Sequence, residues 1–158
     1  GSKIRIHGVY RLGHVLLSGA DIHIQSFEGH PSWPAAAQRE KQSPLKDVAG
    51  MMRSFSYAAH AALLTRIAAR PTELASMEPW ARQWEKWTTA VFLQTYLAAS
   101  GHVGGLGADS VRDSLLRFFL LDRAMRELDG ELNNRPEWVG IPLDGLLQLL
   151  GQVKGENR

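Results

Sequence analysis

The 158-residue sequence contains no cysteine, which rules out disulfides and thiolate metal sites and fits a reducing, cytoplasmic setting. It also lacks a long hydrophobic run. The stretch from Leu115 to Leu121 is interrupted by Arg117 and is far shorter than the ~20 residues needed to cross a bilayer, so a soluble protein with no membrane partner is expected. Charge of one sign is missing too: 18 Lys and Arg against 16 Asp and Glu leave a formal net charge of +2. The most basic stretch, Arg39 to Lys46, is broken by Glu40 and Pro44 and reads as a solvated loop. Nucleic-acid recognition calls for clustered cations and is not expected.

What is present is enough apolar material, 44% of residues, for one core, and the length suits one domain covering 1–158. Gly1-Ser2 reads as an expression scar. The first 27 residues alternate as strands do: Ile4 and Ile6, then Val15 to Leu17, then Ile22, Ile24 and Phe27, with Ser18-Gly19-Ala20-Asp21 as the turn of a hairpin. Pro31 and Pro34 make the following segment a loop, and Ser43-Pro44 supplies an N-cap and first residue for a helix.

In that helix Val48, Met51, Met52, Phe55, Ala59, Ala62 and Leu63 recur every three or four residues, a stripe that must face a core, and the helix should run to about Ala69. A second helix is expected after Pro79, with Trp80, Trp84, Trp87, Val91 and Tyr96 forming an aromatic face, read as packing rather than sugar stacking. The glycine-rich stretch from Gly101 to Gly107 follows a helix and lacks a Gly-Lys-Ser/Thr ending, so it reads as a connection and not a phosphate loop. Asp109 and a capping box over Ser110 to Asp113 open a third helix reaching about Leu132, ended by Asn133-Asn134-Arg135-Pro136. Leu143 to Val153 makes a short last one. The expected fold class is α+β, mainly α, with a short β-hairpin layer packed on a helical bundle.

Four segments carry a resemblance: His7-Gly-Val-Tyr-Arg-Leu-Gly-His14; Ile24-Gln-Ser-Phe-Glu-Gly-His-Pro31; Lys41 to Phe55; and Glu131-Leu-Asn-Asn-Arg-Pro-Glu-Trp-Val-Gly-Ile-Pro142. In this order they resemble the bacterial maltokinases, of the aminoglycoside-phosphotransferase-like kinase superfamily, whose pattern reads His-Gly-Asp-Tyr-His-Leu-Gly-Gln and then Ile-Asp-Phe-Glu-Gly-Glu-Pro. The resemblance implies a kinase-like C-terminal lobe. It places Val9 where the general base belongs, His14 where an amide magnesium ligand belongs, and Ser26 where the principal metal carboxylate belongs. Valine cannot accept a proton, and losing a positioned base typically costs about 10²–10⁴ in rate. A neutral serine hydroxyl is a poor substitute for carboxylate oxygen on a hard cation.

Other residues offer rescue or residual binding. Glu28 lies two positions beyond Ser26, on the same side of an extended strand, and is the candidate replacement metal ligand. Arg11 and Arg126 stand where the family has histidine and tyrosine, and are candidate substrate- or anion-binding residues. Gly130 replaces a second tyrosine. His14, His23 and His30 could in principle form a transition-metal site, though exposed histidines are the plainer reading. Ser43-Pro-Leu-Lys46 is a chance match to Ser-x-x-Lys and serves as a helix start. His7, Asp47 and Arg53 are read as scaffold: loop bonding, capping and packing.

The resemblance also implies an N-terminal nucleotide-gripping lobe, absent here, so no cofactor is expected, with ATP and magnesium used only if a longer parent is active. The leading expectation is a non-catalytic, pseudokinase-like lobe acting as a scaffold in trehalose and maltose conversion to α-glucan. Trehalose synthase, the protein's own N-terminal region or a second copy would be its partner. The alternatives are an active maltokinase or related sugar kinase in the full-length parent, forming maltose 1-phosphate from ATP and maltose, and a sugar- or anion-binding module.

Overall fold

A computed structural model of the chain describes residues 3–27, 34, 36, 40–100 and 108–155. Glu28, His30 and the Gly101 to Gly107 connection lie outside the described residues. The architecture is α+β and mainly α: a two-stranded antiparallel hairpin, β1 (Val15–Ser18) and β2 (Asp21–Ile24), precedes four long helices. These are α1 (Leu45–Ala69), α2 (Leu74–Ser100), α3 (Asp109–Asn134) and α4 (Gly140–Gly155).

The hairpin register pairs Val15 with Ile24 and Ser18 with Asp21, so the turn closes over Gly19-Ala20, where Gly19 takes a positive φ of 63°. Its apolar residues are not covered by the helices: Leu16, Leu17, Ile22 and Ile24 are all exposed. The hairpin is tied to the bundle through the loop before it. Ile4, expected in a strand, makes only an isolated bridge to Gln42.

Helix α1 is the central element, in contact with α2, α3 and α4. Its apolar stripe is the reason: Val48, Met51, Phe55, Ala59 and Leu63 are buried at helical spacing, whereas Ala62 is exposed. Leu45, Val48 and Ala49 join Leu116 of α3 as the heart of the core, surrounded by Met52, Phe92, Leu93, Tyr96, Leu115, Phe119 and Leu120. The Phe55 and Phe92 rings meet edge to face at 5.6 Å, a favoured geometry for aromatic quadrupoles.

All four helix starts differ from the sequence expectation: Pro44, expected as the first residue of α1, occupies its cap position, and Ser43 is not the cap. Helix α2 begins at Leu74, after a 3-10 turn over Pro71–Glu73, and Pro79 lies inside it. The proline forfeits one main-chain hydrogen bond, which the rest of a 27-residue helix offsets. Helix α3 begins one residue before the expected cap: Ala108 occupies the cap position with no side-chain bond, and the Ser110 carbonyl accepts from the Ser114 hydroxyl inside the helix. Acid–base pairing supports that first turn instead, since Arg112 binds Asp109 at 2.8 Å and Asp113 at 3.1 Å. Helix α4 starts at Gly140 rather than Leu143. A further difference concerns packing: Trp80, Trp84, Trp87 and Val91 are exposed rather than covered.

Two charged residues tie the helices together. Arg53 of α1 is 5% exposed and donates from Nε and a terminal nitrogen to one oxygen of Glu127 on α3, at 3.0 and 2.8 Å. The other Glu127 oxygen accepts from Arg123 at 3.2 Å. Gly145 of α4 lies against this guanidinium, where an added Cβ would come within 2.2 Å of an arginine nitrogen. One turn further along α3, buried Glu131 accepts from the Tyr57 hydroxyl and from Arg135. Arg135 in turn lies 4.7 Å over the Trp138 ring, which stacks on Tyr57. Burial and the Glu131 carboxylate push the Tyr57 hydroxyl above its ordinary pKa, so it stays the donor. The Glu131 to Trp138 segment is thereby a clasp between α1 and the end of α3.

Candidate functional site

The loop over residues 7–14 is held on the start of α1 by main-chain groups with few other partners. Asp47, in the first turn of α1, accepts from the His7 and Gly8 amides at 2.7 and 2.8 Å. Ser54 accepts from the Leu12 amide at 2.8 Å. Gly50 permits the close approach, because a Cβ there would sit 2.7 Å from the Tyr10 carbonyl oxygen. Burial pushes the Asp47 carboxyl above its ordinary value, and the His7 and Gly8 amides oppose the shift. Asp47 and Arg53 are thus structural, as the sequence indicated.

The loop is also cross-braced by histidine. His7 donates from Nε2 to the Gln25 carbonyl at 2.8 Å, which leaves Nδ1 to accept from the Val9 amide at 3.3 Å. His14 donates from Nδ1 to the Val9 carbonyl at 2.9 Å and stacks on His7 with ring centroids 5.6 Å apart. Phe27 closes on the other side of His7 at 5.0 Å. Ser26 adopts a left-handed φ of 68°, a region that asparagine and aspartate occupy more readily than serine.

Between this loop and α3 lies a cleft of about 870 Å³. Val9 and Arg11 line one wall, and Asp122, Arg126, Asp129 and Asn134 the other. The structure therefore brings Val9, Arg11 and Arg126 to one cavity, while His14 and Ser26 are not in its lining. Most of the charge in the cleft is internally matched. Arg126 binds Asp122 at 3.0 Å, Glu127 is held by Arg53 and Arg123, and Glu131 by Arg135.

Two charges remain. Among the described residues the Arg11 guanidinium has no hydrogen-bond or ion-pair partner, and Asp129 has no cationic one, its carboxylate receiving only Asn133 at 3.3 Å. Sequence reasoning picked out Arg11 but missed Asp129. Its signal would have been position: it precedes Gly130 and lies four residues before Asn133, on the exposed side of α3.

The magnesium and nucleotide that a kinase-like site implies can be tested against this donor set. Val9 offers no side-chain donor, His14 Nδ1 is turned onto a carbonyl, and Ser26 offers a neutral hydroxyl. These three positions do not suit a hard divalent cation, which prefers charged oxygen. Among the described residues no three His, Asp or Glu gather closely enough to hold a metal ion. His14 and His23 thus form no such group there, and His30 is outside it.

The fold is shared with part of a set of solved kinase structures. Solved structures of glucosamine kinases superpose on nearly the whole chain. One in complex with glucosamine, ADP and inorganic phosphate matches with a TM-score of 0.78 at 22% identity, covering 98% of this chain and 37% of that one. A second crystal form of a glucosamine kinase gives a TM-score of 0.77 at 24% identity over 95% of this chain and 34% of that one.

In sequence, the chain is similar to the glucosamine kinase of Mycolicibacterium smegmatis (strain ATCC 700084 / mc(2)155). The two are 30% identical over 148 residues, which is 92% of this chain and 34% of that protein. The chain thus spans about a third of the length of that relative. No family model matches it. The relation is to a sugar kinase, and no helix among the described residues is long and apolar enough to cross a membrane.

Proposed function

We propose that this chain is a sugar-kinase-like lobe that binds an amino sugar in its cleft without transferring phosphate to it. The observation that carries the reading is the pairing pattern of the cleft: the base position is Val9, yet the cavity keeps Asp129, a carboxylate with no cationic partner among the described residues, with Asn134 also in its lining. A carboxylate without a cation complements the ammonium of a 2-amino sugar, and such charged hydrogen bonds are about twice as strong as neutral ones. The similarity to a glucosamine kinase supports an amino sugar over maltose. Arg11, on the opposite wall, provides a cation for a phosphate or other anion.

The missing carboxylates at positions 9 and 26 are what set this lobe apart from an active kinase. A positioned base orients the attacking hydroxyl, and the metal carboxylate holds the ion that neutralises phosphate oxygens; neither role is open to valine or serine. The output of the lobe is then an interaction governed by sugar occupancy, with the protein's own N-terminal region or a separate enzyme of glucan metabolism, such as trehalose synthase, as recipient.

Titration calorimetry of the chain with glucosamine, glucose and maltose tests this. Glucosamine is expected to bind, glucose more weakly, and Asp129→Asn to reduce glucosamine affinity about tenfold while leaving glucose unchanged. Equal affinity for glucosamine and glucose, or tight maltose binding insensitive to Asp129, would contradict the amino-sugar reading.

A further inference from the structure

The N-terminal half of α2 carries two apolar arrangements at once. The side chains that face α1 belong to one row, ending in Phe92, Leu93 and Tyr96. A second row, offset around the helix, comprises Met77, Trp80, Trp84, Trp87 and Val91. It is left open: Trp80 is 77% exposed, Trp84 48% and Trp87 61%. The covered part of Trp84 meets the Phe55 ring edge to face, with centroids 6.3 Å apart.

The spacing of this second row is three, four, three, four. That is the alternation of a heptad seam, with Met77, Trp84 and Val91 at a and Trp80 and Trp87 at d, and it keeps an apolar row facing a partner helix. The flanking e and g positions, which usually set partner choice by charge, are Ala81, Thr88, Ser76, Gln83 and Ala90. All are neutral. Charged Glu78, Arg82, Glu85 and Lys86 lie away from the seam, so two copies would meet there without like-charge repulsion.

We infer that this face is a homodimer interface, formed by two α2 helices crossing antiparallel about a two-fold axis near Trp84. The row reads aliphatic, Trp, Trp, Trp, aliphatic in either direction. An antiparallel crossing therefore sets Met77 against Val91 and Trp80 against Trp87 of the other copy, as an isologous contact requires. At about 250 Å² for a whole tryptophan, the open surface of the row comes to roughly 600 Å² per copy. Full coverage of both rows would bury about 1,200 Å², so most of this open surface must be covered to reach the ~1,000 Å² that a specific interface needs.

Sedimentation velocity on the 158-residue chain over a concentration series, with tryptophan emission recorded in parallel, provides the test. A monomer–dimer equilibrium is expected, with emission shifting to the blue as the dimer forms. Trp87→Glu and Trp80→Lys should each weaken association at least tenfold, with helical content unchanged by circular dichroism. Leu147→Glu, at an equally open position on α4, should leave it intact. An equimolar mixture of the Trp80→Lys and Trp87→Glu chains should associate more tightly than either alone, because the antiparallel register brings the new charges together.

A monomer at every concentration up to about 200 µM would overturn the inference, including one that instead binds phosphatidylcholine vesicles through these tryptophans. So would a dimer indifferent to Trp87→Glu. A mixture no tighter than its components would overturn the antiparallel register, and the proposal with it.

Discussion

Replacing Glu127 with glutamine should be the most costly polar substitution in the bundle. Arg53 is 5% exposed and Glu127 12%, so the pair sits in a low-dielectric environment where the carboxylate is the main compensation for the buried guanidinium. The carboxylate accepts twice from Arg53 and once from Arg123. Breaking a buried pair by removing one partner costs about 3–5 kcal/mol, because the other charge is left stranded. Against a total stability of roughly 5–15 kcal/mol for a domain, that is a large share, and at about 2–4 °C per kcal/mol the melting midpoint should fall by roughly 10 °C.

A double-mutant cycle separates the stranded charge from the lost contact. Arg53→Met leaves Glu127 with Arg123 and should cost less than Glu127→Gln. The double variant Arg53→Met with Glu127→Met should cost well under the sum of the single changes, since no charge is then stranded. Urea unfolding of all four proteins, with the slope held as a check on two-state behaviour, measures the cycle. Additive costs, or a Glu127→Gln penalty under about 1 kcal/mol, would refute the claim that this pair holds α1 to α3.

Gly145→Ala should destabilise through the same contact, by about 1–3 kcal/mol, because its methyl would fall 2.2 Å from an Arg53 nitrogen; thermal unfolding checks this. Ser26→Gly should raise stability by up to about 1 kcal/mol by relieving a left-handed φ of 68°, and a lower melting midpoint would contradict it. Asp47 should give a pH-dependent signature. Its folded pKa lies above the ordinary 3.8, so its contribution is full below that value and is lost as pH rises through the folded pKa. Stability curves across this acid range should fall more steeply with rising pH for the wild type than for Asp47→Asn, which cannot titrate.

How legible this was from sequence depended on range. The stripe on α1 encodes both a helix and its buried face, so Val48 to Leu63 could be placed directly. The resemblance pointed to His7 bonding loop backbone and to Asp47 as a capping residue; that Asp47 accepts the His7 and Gly8 amides, 40 and 39 positions away, came only from the fold. Local signals were weaker guides at helix starts: Pro79 and the Ser110 capping box both suggested beginnings, yet α2 starts earlier, after the 3-10 turn over Pro71–Glu73, and α3 starts at Asp109, where Arg112 pairs with Asp109 and Asp113.

Charge pairing was not legible at all. Arg53 and Glu127 are 74 positions apart, and only the folded chain shows which carboxylates are matched, and hence that Asp129 is not. The tryptophan row illustrates the remaining gap. Periodicity identifies a face but not whether the same chain covers it, and here the covered row is Phe92, Leu93 and Tyr96 instead.

The proposed function requires that Val9 and Ser26 fail to support phosphoryl transfer while the cleft binds a sugar. ADP release from magnesium–ATP by the protein in the presence of saturating glucosamine, with maltose in parallel, alongside calorimetry of the same sample, measures both at once. Sugar binding without ADP formation above the uncatalysed rate is the predicted result. Sustained turnover with either sugar would contradict the account.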